Sequence, residues 1–298
     1  MNLSGRWAVV TGAGNGIGRG IVLALAEAGA SSVAVDIDEA GLAQTRSEVE
    51  ALGHRIETRA LDLCRPEALQ ELADELCPER DIALLCNNAG VGGLGKRLLK
   101  TTEADMRWIM DVNLFALWRG CAAFGRHFAE RTDAPAWIVN TGSEHSLGTP
   151  PNLYSGIYTA SKHAVLGMSD VLRRELPEHV GVSVLCPGLV HSSIWRSAER
   201  RPTAHGGPGE VRGGLAERAM QEGVEPVEIG RCVVRGVENG EFLIVTHSHS
   251  VVYAEERHRE VAAAFADQAP RTEGDFERYA PPAVLKRLLD EEGGAERE

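Results

Sequence analysis

The feature that most restricts this chain is four glycines in seven positions, in Thr11-Gly-Ala-Gly-Asn-Gly-Ile-Gly18, wedged between a strand-like run and a helix-like one. Trp7-Ala-Val-Val10 precedes it, and Ile17, Ile21, Leu25 and Ala28 follow at helical spacing. Backbone can approach a pyrophosphate closely only where side chains are missing, and a helix N-terminus adds free N–H groups and positive potential. A glycine string alone is often a plain turn. Its position between strand and helix favours phosphate binding here, with Thr11, Gly12, Asn15, Gly16, Ile17 and Gly18 as the expected cofactor contacts.

The same strand–helix unit recurs. Ala8–Val10, Ser32–Val35, Ile56–Leu61, Ile82–Cys86, Trp137–Asn140 and Val182–Cys186 read as short strands, apolar on both faces, with helical stretches between them. Strands covered on both faces belong to parallel sheets, and the helices supply the crossovers. The expected fold is therefore α/β, a doubly wound parallel sheet of Rossmann type filling residues 1–250. Within it, residues at about 193–225 hold Gly206-Gly-Pro-Gly209 and Gly213-Gly214 among many charges and read as a mobile substrate lid. A last strand is expected at Glu241–Thr246. Residues 251–298 form a C-terminal helical extension and tail, frayed from Asp290 to Glu298.

Charge and cysteine usage exclude several functions. A formal net charge of −12 argues against nucleic acid as a partner. Arg200-Arg201 is the one local basic spot, and a solvated loop accounts for it. The six cysteines are scattered, with no CxxC pair and no histidine at metal spacing, which points to reduced thiols and no metal site. His247 and His249 lack a third ligand in the sequence pattern. No apolar stretch reaches the roughly 18 residues that a membrane span needs, and no leader pattern precedes the first strand, so the cytoplasm is the expected compartment.

Asp36 stands 18 residues beyond Gly18, at the end of the second strand. A carboxylate there accepts hydrogen bonds from ribose hydroxyls and repels a 2′-phosphate. Ile37 follows it, and Ala13, Gly14 and Asn15 carry no positive charge. NAD is therefore expected rather than NADP.

Tyr158-Thr-Ala-Ser-Lys162 reads as helix, which puts its tyrosine and lysine on one face. A free phenol is a poor base at neutral pH, and a nearby ammonium stabilises its phenolate. Tyr154 is the rival tyrosine, but it has Tyr158 rather than a lysine four residues on. The set Thr11–Gly18, Asp36, Asp62-Leu63, Asn87-Asn-Ala-Gly90, Asn113, Ser143, Tyr158–Lys162 and Pro187-Gly188 resembles, in order and spacing, the short-chain dehydrogenase/reductase family, over residues 3 to about 192.

The resemblance implies a role for each position. Tyr158 is the expected general acid/base, and Lys162 also holds the nicotinamide ribose. Ser143 donates to the substrate oxygen, and Asn113 holds a water that links Lys162 to solvent. Asp62, with Leu63 beside it, meets the adenine; Asn87, Ala89 and Gly90 line the adenosine side. Val190 and Ser192 face the carboxamide, where the family usually has Thr in place of Ser192. The reaction implied is NAD-dependent hydride transfer with a small-molecule secondary alcohol or ketone, a bulky apolar or aromatic one by analogy. A non-catalytic NAD-binding scaffold of the same fold is the alternative.

The chain departs from the family pattern in two ways. Ser143 and Tyr158 are 15 apart, two more than is commonest, with Pro150-Pro151 between them, and the usual C-terminal ending is missing. A homodimer through helices around 104–130 and 155–176 is expected, with a tetramer as the alternative. His145 and Trp195 are candidate pocket residues, Trp108 and Trp118 read as core or dimer packing, and Glu144 is expected to turn away from Ser143.

Overall fold

The computed structural model describes residues 1–92, 95–151, 155–209, 211 and 214–295, with the side chains followed to residue 290. Seven parallel strands form one sheet in the order β3-β2-β1-β4-β5-β6-β7. They are β1 Trp7–Thr11, β2 Ser31–Asp36, β3 Ile56–Ala60, β4 Ile82–Asn87, β5 Ala136–Thr141, β6 Val180–Cys186 and β7 Leu243–Val245. The helices α1 Gly16–Glu27, α2 Glu39–Ala51, α3 Ala68–Leu76, α4 Glu103–Met110, α5 Ala116–Glu130, α6 Gly156–Glu175, α7 Leu215–Gln221 and α8 Pro226–Asn239 accompany the sheet. This is the expected doubly wound Rossmann-type architecture.

Two apolar layers hold it together. On one face Ile21 and Leu25 of α1 meet Val233 and Val237 of α8. On the other, Leu69 and Leu72 of α3 and Phe124 and Phe128 of α5 cover Val9, Val33 and Leu85. Each fully buried side chain of this size stabilises the fold by about 1.5–3 kcal/mol. Because the strand order reverses direction between β1 and β4, their C-terminal ends part there and open a crevice.

Several elements differ from the sequence reading. Strand β3 is not apolar on both faces: it lies at the sheet edge, mostly half-buried, which tolerates Glu57 and Arg59. The last strand is shorter than expected. The α4–α5 stretch is interrupted by a π turn at Asp111–Phe115. Ile194–Arg200 and Thr203–His205 form 3-10 turns and α7 follows, so the described part of the expected lid carries structure of its own. Arg200 and Arg201 are ion-paired, with Asp38 and Asp105 respectively, rather than merely solvated.

The chain divides into two compact units, Met1–Tyr253 and Ala254–Glu298. Helix α9 Val251–Gln268 begins in the first. The second continues with α10 Asp275–Tyr279 and α11 Pro281–Ala295, so helix persists to Ala295, through most of the stretch expected to fray. No helix among the described residues is long and apolar enough to cross a membrane.

Candidate active site

The β1–α1 turn meets the physical requirements for a pyrophosphate. Gly12 has φ +67°, and a Cβ on it would lie 2.7 Å from the Ala89 Cα. A Cβ on Gly18 would fall 2.0 Å from the Gly12 carbonyl oxygen, so only glycine lets the turn close on the helix. Asn15 is the cap of α1, yet its side chain makes no cap hydrogen bond, and the first turn carries no acidic residue. The helix therefore keeps its N-terminal donors and positive potential for an anion. Ser192 lies against Gly16, and the Ser193 hydroxyl donates to Asn15 Oδ1 at 3.2 Å. A cavity of about 510 Å³ extends outward from this turn, with Asn15, Gly16, Ser192, Ser193 and Trp195 in its wall.

Asp36 closes the adenosine end. It is 8% exposed, and its carboxylate accepts the Gly14 N–H at 2.8 Å and the Asp38 N–H at 2.9 Å. A carboxylate offers about four acceptor positions, so two bonds leave capacity for ribose hydroxyls. Ile37 beside it is 56% exposed. Asp38 caps α2 by accepting the Gly41 N–H and pairs with Arg200 at 2.8 Å. Asp62 is exposed at the same edge, where its carboxylate accepts the Cys64 N–H, while the Leu63 side chain belongs to the core.

Some expected contacts have their side chains committed elsewhere. The Thr11 hydroxyl donates to Cys86 O and accepts the N–H groups of Asn88 (2.9 Å) and Ala89 (3.1 Å). Asn87 turns into the core toward Asn140 (3.0 Å) and Cys121, and Val190 is buried. Their main chains alone remain to meet a cofactor. Ala89 and Gly90 do line the crevice: Ala89 packs on Gly12, and a Cβ on Gly90 would meet Asn113 Oδ1 at 3.4 Å and Lys162 Nζ at 3.8 Å. The residue missed is Asn88, whose amide donates to Thr11 O at 3.1 Å and Gly12 O at 3.4 Å and so fixes the glycine turn. Side-chain alternation along β4 was the available signal, since successive asparagines point to opposite faces.

The reacting groups converge from β5 and α6. Ser143 follows the end of β5; its hydroxyl donates to Pro187 O at 3.5 Å and lies close enough to the Tyr158 phenol to lower it. Lys162, one helical turn beyond Tyr158, is buried; its Nζ lies 5.7 Å from the Tyr158 ring centroid and donates to Thr141 O at 2.7 Å. Burial pushes this ammonium down to about 8. Burial likewise pushes the phenol up; the Ser143 hydroxyl partly offsets that rise and the Glu144 carboxylate adds to it. The ammonium stands 5.7 Å off the ring and gives its short bond to a carbonyl.

Asn113 sits within the π turn and is fully buried. Its amide donates to Val91 O and Ser161 Oγ, and its Oδ1 accepts the Val91 N–H at 2.8 Å. That side chain is spent on protein partners, in a turn where the ordinary helical ladder is broken. His145 bonds Thr159 Oγ1 at 2.7 Å and meets the Tyr158 ring edge-on at 5.2 Å; burial lowers it to about 4, which keeps it neutral. Tyr154 lies outside the described residues. No group of three or more metal-ligating side chains occurs among the described residues.

A family model described as short chain dehydrogenase matches residues 6–203. The chain belongs to this family. It has the Rossmann fold of that family. A probable oxidoreductase, EphD, of Mycobacterium tuberculosis is 37% identical over 187 residues, covering 62% of the chain but only 31% of EphD. The 1-deoxy-11-beta-hydroxypentalenate dehydrogenase of Streptomyces exfoliatus is 38% identical over 65% of the chain and 70% of its own length. A short-chain dehydrogenase/reductase from Burkholderia phymatum, solved in complex with NAD, superposes with a TM-score of 0.80 at 31% identity, covering 91% of this chain and 99% of that one.

Proposed function

We propose that the chain is an NAD-dependent dehydrogenase that oxidises a bulky secondary alcohol, or reduces the corresponding ketone, with Tyr158 as general acid/base. The observation that carries this reading is the convergence of Tyr158 and Lys162, one turn apart on α6 with the Lys162 Nζ 5.7 Å from the Tyr158 ring centroid, beside the Ser143 loop and the glycine turn. Bound NAD supplies the hydride acceptor. Asp36 accepts its adenosine ribose hydroxyls, and Asp62 and the main chain at Leu63 border its adenine. The α1 N-terminus faces its phosphates, and Ser192 with the main chain at Val190 borders its nicotinamide.

In oxidation, Tyr158 gives up its own proton through Lys162 first and then, as phenolate, takes the hydroxyl proton of the alcohol on its oxygen. Ser143 donates to the same substrate oxygen and stabilises its developing charge. Lys162 holds the nicotinamide ribose and hands the proton on toward a water at the Asn113 carbonyl. Residues 193–225 act as the lid over this centre. The exposed Met106, Phe115, Trp118 and Val171 support a homodimer through α4, α5 and α6. The free cysteines support a cytoplasmic setting.

A panel of alicyclic and aromatic secondary alcohols, followed by NADH absorbance, tests the reading. Turnover with members of the panel is the expected result; a flat trace across all of them counts against it. Cofactor choice has its own test. Asp36→Ala with Ile37→Arg removes the ribose acceptor and adds a phosphate donor, so the ratio of kcat/KM for NADP over NAD is expected to rise about 100-fold or more. An unchanged ratio would show that Asp36 does not select the cofactor.

A further inference from the structure

The segment that leaves β6 makes its contacts on both sides of the crevice between β1 and β4, from the glycine turn to α4. At the glycine turn, the Ser193 hydroxyl donates to Asn15 Oδ1 at 3.2 Å, and a Cβ on Gly16 would lie 3.0 Å from the Cβ of Ser192. Beyond β4, the Gly92 N–H donates to Ser197 Oγ at 3.1 Å, and a Cβ on Gly92 would lie 3.0 Å from Ile194 O. Arg201 then pairs with Asp105 of α4 and lies over the Trp108 ring at 5.3 Å. The residue before it reaches the other side: Arg200 pairs at 2.8 Å with Asp38, the cap of α2. Residues 193–201 therefore form a strap across the mouth of the crevice, and two consecutive arginines hold it to opposite banks.

The two arginine anchors differ in kind. Arg201 and Asp105 are 12% and 1% exposed, so breaking that pair would strand a buried charge. Arg200 and Asp38 are 53% and 22% exposed, so water and salt compete with their pairing and it opens readily. Asp38 also adjoins the adenosine end of the site. Its N–H donates to Asp36 Oδ1 at 2.9 Å, while Asp36 Oδ2 accepts the Gly14 N–H of the glycine turn. Arg200 thus fastens the strap to the residue that abuts the ribose acceptor.

We propose that Arg200 is a positioning residue for the cofactor: paired with Asp38, it closes the strap over the adenosine end of the crevice, and the pair opens to let NAD leave while Arg201 stays anchored. The inference rests on the NAD-binding reading above. It gives the strap a task besides covering the substrate, because the anchor that yields lies at the ribose end rather than at Tyr158.

Release of NADH, followed by its fluorescence as excess NAD displaces it, reads this directly and needs no turnover. Arg200→Ala is expected to speed release about two- to fivefold, which is what an exposed ion pair contributes. Asp38→Asn keeps a capping side chain on α2 but drops the charge, and it should speed release equally. The double variant should be no faster than either single one. Arg200→Lys should restore slow release. Added salt should speed release more in the parent and in Arg200→Lys than in the variants that lack the pair. A strap that merely lost its shape would respond to Arg200→Ala alone and at every salt concentration. That result, additive effects, or unchanged release in both single variants overturns the proposal. The full pattern with no alcohol turnover in the parent would sink alcohol oxidation and leave the strap standing. Turnover in the parent with unchanged release would sink the strap alone, and a parent that holds no NADH would sink both.

Discussion

Tyr158→Phe is expected to bind NAD as the parent does and to lose about 10²–10⁴-fold in turnover. The substitution removes one oxygen and nothing else. The ring that meets His145 edge-on at 5.2 Å is retained, and so is the helix that carries Lys162. Loss of the phenol oxygen's polar contacts costs about 1 kcal/mol of stability, too little to unfold a domain of this size. Binding is read from NADH fluorescence and turnover from absorbance. Normal binding with normal turnover would remove Tyr158 from the chemistry. Lost binding would instead make it part of the cofactor site.

That expectation differs from the one the sequence alone supports. Four residues between a tyrosine and a lysine suggest a phenol acidified by its neighbour, but spacing does not say where the ammonium points. In the folded chain Lys162 bonds Thr141 O, and burial pushes the Tyr158 phenol up. A cationic cofactor ring beside the phenol would oppose that rise and so would make proton transfer depend on cofactor binding.

The legible features are those that local backbone chemistry dictates. The glycine turn, the strand alternation and Asp36 at the end of β2 each follow from a few adjacent residues. What escaped depends on contacts between distant segments. The π turn at Asn113 exists where its amide is captured by Val91 and Ser161, 22 and 48 residues away. The division of labour between Asn87 and Asn88 depends on which face of β4 each side chain takes. Arg201 looks like a solvated charge until its partner, 96 residues earlier, is known.

That partner, Asp105, carries the second large effect: Asp105→Ala is expected to cost about 3 kcal/mol of stability. Its carboxylate is 1% exposed and takes bonds from Lys96 at 2.7 Å, Arg201 at 2.5 Å and the Thr102 N–H at 3.0 Å, the last closing the capping box of α4. Removal leaves Arg201, only 12% exposed, without its counter-charge, whereas water can take over the half-exposed Lys96. Lys96 lies in the loop after β4 and Arg201 in the segment after β6, so the same loss frees both loops that flank the crevice, and KM should rise more than kcat falls. Burial alone would raise the Asp105 carboxyl, but the bonds from Lys96, Thr102 and Arg201 hold it well below the usual carboxylate range. Its stabilisation is therefore complete above pH about 4 and is lost as pH falls from there through the folded value. Urea unfolding of parent and variant at pH 7 and pH 3 checks this: the gap between them should shrink by about 1 kcal/mol at the lower pH. A gap that stayed constant would mean that Asp105 acts through packing rather than charge.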